Sequence, residues 1–428
     1  MIEKYFKLKE NGTSVRTEVI AGVTTFLTMA YILALNPQFL STTGMDAGAV
    51  FTATAASAIV GTTIMALWAK LPFALAPGVG LSVFFSFTVC MAMGYTWQFA
   101  LTAVFIEGII FIILTLFNIR EAIVDSIPQT LKNAIGAGIG LFIAFIGLQN
   151  AGVIVNSDST LVKLGDITSG APLLALIGLG ITSLLLIKKV KGALLLGILL
   201  TTGIGAFMGI TQYKGIMSLP PSPEPLLFKF DFSEVFSLKM AVVVFTFLFV
   251  DLFDTLGTLV GVTTKAKMLT PDGKVPGIKQ AFMADAIATT LGAIMGTSTV
   301  TTYVESAAGV AQGGRTGLTS LITTLCFVVA LLFSPLFLSI TPSATAPVLI
   351  LVGLFMLSPV VAIDFDNYAE SIPAFICIIA MPLSYSIAEG ISLGMISYVV
   401  LNLLSSNQKK LNAGMCILAA LFVLKYLM

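Results

Sequence analysis

Two carboxylates three residues apart, Asp251 and Asp254 in FTFLFVDLFDTLGTLVGV, sit in the middle of a stretch apolar enough to span a bilayer. Glu305 in STVTTYVESAAGV and Asp285 in KQAFMADAIATTLGAI extend the set. A charged side chain at that depth costs about 2.5–3.5 kcal/mol even on the lenient insertion scale, so it tends to persist where it faces a cavity and binds something. The spacing of Asp251 and Asp254 puts both on one helix face, and Gly257 and Thr258 on the next turn leave room for a ligand or a neighbouring helix. Such acids accept N–H groups from a solute and take up or release protons. Taken singly, each also fits a buried structural carboxylate bonded to an adjacent helix. Glu107 in FIEGII has no polar company in its own segment and reads as interhelical packing, and Glu389 in YSIAEGIS is expected at a helix break near a surface.

Aromatic side chains complement the acids. Phe84, Phe85 and Phe87 lie in a Gly-rich segment and Tyr303 stands beside Glu305, where they would stack on a flat ring; a Phe cluster in an apolar span equally serves lipid or core contact. The 57% hydrophobic and 10% charged composition, against roughly 25% charged in a soluble domain, defines a polytopic membrane protein. With no histidine in the chain, any proton chemistry falls to carboxylates, and the usual metal ligand is missing. Cys90, Cys326, Cys377 and Cys416 are scattered singly, which indicates neither a zinc site nor a disulfide framework. No metal or organic cofactor is expected, and a net charge of +1 gives no argument for nucleic acid.

An enzyme would need a nucleophile, a metal cluster or a phosphate loop, and GVGLS lacks the lysine of a Walker motif. A channel needs no pair of broken segments around midplane acids. Transport is the reading that remains. A spanning helix takes about 20 apolar residues. By that measure fifteen stretches qualify: 18–36, 49–68, 72–94, 98–118, 131–152, 172–188, 191–210, 240–263, 278–296, 298–312, 316–338, 343–360, 371–387, 388–405 and 411–427. The last is either interfacial or one extra crossing; alternatively 371–405 holds fewer spans than this count gives it.

The polar N-terminal segment 1–17 has no signal-peptide pattern. Lys4, Lys7, Lys9 and Arg16 precede the first span, and basic residues recur in alternate connections at Lys70, at Arg120 with Lys132, at Lys188, Lys189 and Lys191, at Lys265, Lys267, Lys274 and Lys279, at Arg315, and at Lys409 with Lys410. The positive-inside rule then predicts a cytoplasmic N-terminus in the cell inner membrane. The interruption at 211–239, containing SLPPSPEPLL, separates a first half at 18–210 from a second at 240–428, with seven spans on each side. Each half carries an unusual third segment, LPFALAPGVGLSVFFSF and GTSTVTTYVESAAGV. Interrupted segments in matching places of two halves point to a transporter binding site, because unwound backbone at membrane depth is tolerated only where it lines a cavity.

Five motifs, AGVTTFLTMAYILALNP, PFALAPGVGLSVFFSF, FVDLFDTLGTLVG, FMADAIATTLGAIMGTS and TTYVESAAGVAQGGRTGLT, spread over nearly the whole length, closely resemble the nucleobase-cation symporter-2 family in its Azg-like adenine, guanine and hypoxanthine permease branch. The resemblance implies an all-α fold of about 14 transmembrane segments as a 7+7 inverted repeat, with spans 3 and 10 broken. A core domain from spans 1–4 and 8–11 would face a gate domain from spans 5–7 and 12–14, and gate domains would join two copies as a homodimer. It also implies a proton symporter importing purine nucleobases. Asp254 takes the position of the family's substrate carboxylate, with Glu305, Phe85, Tyr303, Ser82 and Thr25 as further substrate residues and Asp251, Asp285 and Glu305 coupling to protons. Ser82 stands where many purine-branch members carry Asn.

A purine suits such a site physically. Its flat ring carries N–H donors and, in oxopurines, a carbonyl, so carboxylates at its edge and the N–H groups of half-helices complement it. Another solute on the same fold, such as xanthine, uracil or an anion, or coupling to sodium, is the alternative.

Overall fold

The computed structural model describes residues 2–120, 123, 127–265, 268, 277–405 and 411–427; Lys267, Lys274, Lys409 and Lys410 lie outside them. The first span is two helices, α1 (Val15–Met29) and α2 (Ile32–Ser41), separated at Ala30 and Tyr31. Ser14 caps α1 by accepting the Thr17 N–H at 3.2 Å. Next come α3 (Ala47–Ile64), strand β1 (Leu75–Pro77), the half-helix α4 (Val79–Val83) with wider turns to Ala92, and α5 (Trp97–Leu116). The half ends with α6 (Gln129–Asn150), a hairpin of β2 (Ile154–Ser157) and β3 (Leu161–Leu164), α7 (Gly170–Ile187) and α8 (Ala193–Phe207).

The second half repeats the order: α9 (Leu238–Lys265), α10 (Ile278–Met295), strand β4 (Val300–Thr302) with half-helix α11 (Ser306–Ala311), α12 (Gly317–Ala330) running on into α13 (Ser334–Leu338), α14 (Pro342–Leu357), α15 (Tyr368–Leu383) and α16 (Ile387–Leu404). Among the described residues, seven segments precede the connection and seven follow it, with one further apolar helix at the C-terminal end. Among the described residues, eight helical stretches are long and apolar enough to cross a bilayer unaided, and shorter apolar helices join them. The membrane segments are helical except the third and tenth, which are half strand and half helix.

Those two segments meet head on. Leu75, Ala76 and Pro77 pair antiparallel with Thr302, Thr301 and Val300, and the ladder continues through Gly78 N to Thr299 O at 3.0 Å and Tyr303 N to Ala74 O at 2.9 Å. Backbone polar groups left unpaired in hydrocarbon cost several kcal/mol each, so each strand supplies the other's partners. Gly78 is required here, because a Cβ on it would lie 2.7 Å from Thr301 Cγ2.

The helices form two groups. In one, α1 packs on α11 and α12, α3 on α10 and α12, and α5 on α9 and α10; in the other, α6 packs on α14 and α15, α7 on α8 and α14, and α15 on α16. The 211–237 connection contains no helix or strand and straps one end of the first group. Pro221 O accepts from Thr52 at 2.7 Å, Ser218 N donates to Leu332 O at 3.0 Å, Phe228 N to Ile294 O at 3.0 Å and Asp231 N to Thr102 at 2.8 Å. The last apolar stretch forms α17 (Ala413–Leu427), which packs on α16. Phe422 of α17 reaches Phe245 and Phe249 of α9 at 5.6 and 5.2 Å, and Lys425 meets Glu389 at 2.6 Å.

Candidate substrate site

The crossing of β1 and β4 opens on a cleft between the two helix groups, with about 380 Å³ of empty space, part of it open to the outside. Asp254 from α9 and Glu305 at the start of α11 both line it. So do Thr301, Thr302 and Tyr303 of the strand region and Tyr31 from the break in the first span. The facing wall is apolar: Ile139 and Ile143 of α6, Val352 and Met356 of α14. A polar edge thus opposes a greasy surface across one slot, and that slot suits a flat, polar-edged molecule.

The two tyrosine hydroxyls have defined partners. The Tyr31 hydroxyl donates to Glu305, which fixes the carboxylate's orientation, and the Tyr31 and Tyr303 rings lie 6.3 Å apart. Tyr303 donates its own hydroxyl to Pro77 O at 2.5 Å. Its ring therefore remains for stacking while its hydroxyl is committed. Thr302, which lines the cleft, has its Oγ1 buried and unpartnered among the described residues. Thr28 of α1 contacts the Glu305 carbonyl at 3.5 Å, so the first span holds the glutamate from the side chain and the backbone.

Other anticipated residues lie behind this surface. Ser82 is buried and donates to Asn36 Oδ1 at 2.7 Å or Gly78 O at 2.8 Å, and pairs with Ser298 at 2.7 Å; Asn36 Nδ2 in turn reaches Thr54 and Thr297 at 2.7 and 2.8 Å. An amide bridging the helices is thus present, supplied by Asn36 and not by position 82. Thr25 donates to Ala21 O at 3.0 Å and packs against Gly309, where a Cβ would lie 2.1 Å from Thr25 Oγ1. Phe85 is buried against Phe247, with rings 6.5 Å apart, and is not part of the cleft wall. None of these three lines the cleft.

Asp251 and Asp285 are fully buried and also stand away from the cleft. Arg120, which the sequence reading put in a basic connection, is itself fully buried and ion-pairs with Asp285 at 2.8 Å and Asp251 at 3.6 Å. Its position beside charged Glu121 and Asp125 gives it the sequence look of a loop residue. Glu107, read as lacking polar company, accepts from Thr299 at 2.7 Å. The partner is remote in sequence, so the segment around Glu107 could not reveal it. Glu18 was missed as well: it caps α12, accepting from Arg315 N at 2.9 Å and from Thr319 N at 3.0 Å. A lone acid at the start of the first apolar run was the signal for it.

Residues 16–393 match the pattern of the Permease family. The adenine permease AdeP of Escherichia coli is 45% identical over 99% of this chain and 96% of its own, and the guanine/hypoxanthine permease PbuG of Bacillus subtilis is 42% identical over 100% of this chain and 99% of its own. Among solved structures, the transmembrane domain of the cyanobacterial bicarbonate transporter BicA superposes with a TM-score of 0.63 at 18% identity, covering 90% of this chain and 97% of that one. At that identity the likeness speaks for the inverted-repeat fold alone. A chain matched end to end by permeases, with two crossed half-spans at the centre of such a fold, is a transporter and not an enzyme, and it belongs to the nucleobase-cation symporter-2 permease family.

Proposed function

We propose that the protein imports purine nucleobases across the cell inner membrane by proton symport. The observation that carries the reading is the placement of Asp254 and Glu305 on one cleft facing an apolar wall. Purine N–H groups would bond to the carboxylates, the ring would lie between Tyr303 and the α6–α14 wall, and Thr302 would meet a remaining polar atom. Carboxylates at the edge disfavour an anionic solute. The names of the relatives, adenine and guanine/hypoxanthine permeases, support the same substrate class.

The first helix group would act as a core that carries the polar edge and the second as a gate that carries the apolar wall. Sliding of one against the other would expose the cleft to each side in turn. Proton uptake at Asp254 or Glu305 would make loading of substrate and proton one event. The basic residues Lys4, Lys7, Lys9 and Arg16 support a cytoplasmic N-terminus, and the family resemblance supports a homodimer joined through the gate. Uptake of labelled adenine, guanine, hypoxanthine, xanthine and uracil by cells lacking their own permeases tests the reading. Saturable accumulation of one or more of the first three is expected; accumulation of uracil alone would overturn it.

A further inference from the structure

Behind the cleft lies a charge cluster whose members are not part of the cleft lining. Arg120 Nη2 donates to Asp285 Oδ2 at 2.8 Å and stands 3.6 Å from Asp251 Oδ2, while Nη1 donates to Phe282 O at 3.2 Å. The guanidinium is held between the rings of Phe111 and Phe282, 3.8 and 4.4 Å from their centroids. Glu107 is the other acid in the neighbourhood, tied to Thr299. The guanidinium is thus a cation sealed between two carboxylates.

Two hydroxyls connect this cluster to the cleft. Thr255 Oγ1 lies 3.2 Å from Asp251 Oδ1, 3.1 Å from Asp285 Oδ1 and 2.7 Å from Thr301 Oγ1. Thr301 and Asp254 both line the cleft. Each hydroxyl has one hydrogen to donate. When Thr301 turns its hydrogen toward the cleft, it can accept from Thr255, and Thr255 then leaves the buried acids. When Thr255 donates to an acid, Thr301 can donate back to Thr255 and offers the cleft only its acceptor lone pair.

We propose that Arg120 fills, against Asp251 and Asp285, the place a coupling cation would otherwise take, and that the Thr255–Thr301 hydroxyl pair carries this fixed charge to Asp254, so that exchangeable protons belong to Asp254 and Glu305 and not to the buried pair. Arg120 and Thr255 are thus positioning residues. The assignment rests on the transport reading above and narrows it. It also accounts for three acids in the eighth and ninth segments when only one of them, Asp254, reaches the cleft.

The test uses full-length protein in proteoliposomes with radiolabelled hypoxanthine, alongside membrane yield and melting temperature. Arg120→Gln leaves two carboxylates without their cation and is expected to cut uptake at least tenfold. Adding Asp285→Asn restores the cluster's net charge and is expected to bring uptake back to within about threefold of wild type. Thr255→Val keeps the shape and removes the hydroxyl; KM should rise about five- to tenfold with the maximal rate held within twofold. Wild-type uptake in Arg120→Gln, a double variant no better than the single one, or an unchanged KM in Thr255→Val overturns the proposal. If Arg120→Gln fails to reach the membrane, recovery in the double variant and the KM of Thr255→Val decide it. A wild type that transports none of the purines overturns the substrate reading instead, and the charge role is then judged by whether the double variant regains the melting temperature lost in Arg120→Gln.

Discussion

At the scale of single residues, the two acids in the cleft have separable duties. In Glu305→Gln the amide oxygen can still accept the Tyr31 hydroxyl, so the local contact survives while the titratable group is lost. The variant should reach the membrane and bind substrate yet fail to accumulate it against a gradient; accumulation at the wild-type level would remove Glu305 from coupling. Asp254→Asn should weaken binding about tenfold to a hundredfold, because a charge-assisted hydrogen bond contributes roughly 1.5–3 kcal/mol. Asp251→Asn leaves Arg120 its 2.8 Å partner Asp285, so substrate binding should persist within about threefold while transport rate or stability falls. Equilibrium binding of hypoxanthine to the purified variants separates these outcomes, and affinity lost at Asp251 but kept at Asp254 would exchange their roles.

At the scale of elements, close approach sets the limits. The half-helix α11 rests on α1 at Gly309, where a Cβ would lie 2.1 Å from Thr25 Oγ1 and 2.7 Å from the Ala21 carbonyl. Gly309→Ala should therefore destabilise the protein by about 1–3 kcal/mol, the usual range for overpacking, and lower its melting temperature. Pairing it with Thr25→Ala should recover only part of the loss, since the Ala21 backbone cannot yield; full recovery would show that the carbonyl gives way. The broken third and tenth segments were legible in the sequence because Gly, Pro and Thr interrupt apolar runs at matching places in both halves. The break between α1 and α2 was not, since AYILALNP reads as one apolar run and Tyr31's partner, Glu305, is remote in sequence. Arg120, Glu107 and Ser82 were misjudged or left unresolved for one reason: their partners lie 165, 192 and 46 positions away, and local composition carries no trace of them.

At the scale of the whole molecule, coupling is the property to measure. Uptake driven by an inward proton gradient should collapse with a protonophore and be indifferent to replacing sodium by choline; dependence on sodium at constant pH would favour a sodium symporter. The crossing of β1 and β4 also bears on how the protein is made. Leu75–Pro77 find their ladder partners at Val300–Thr302, and Tyr303 bonds to a carbonyl 226 positions upstream. At synthesis rates of about 5–20 residues per second, the earlier strand waits roughly 10 to 45 seconds in or beside the insertion machinery before its complement exists. Throughout that interval its backbone needs shelter from lipid, by water in the insertion channel or by a chaperone. Residues 1–237 produced alone should be degraded rapidly, and co-production with 238–428 should rescue them and restore uptake. A first half that persists by itself at full yield would mean that the nascent strand finds another partner, and that the transport site is assembled by exchange and not by waiting.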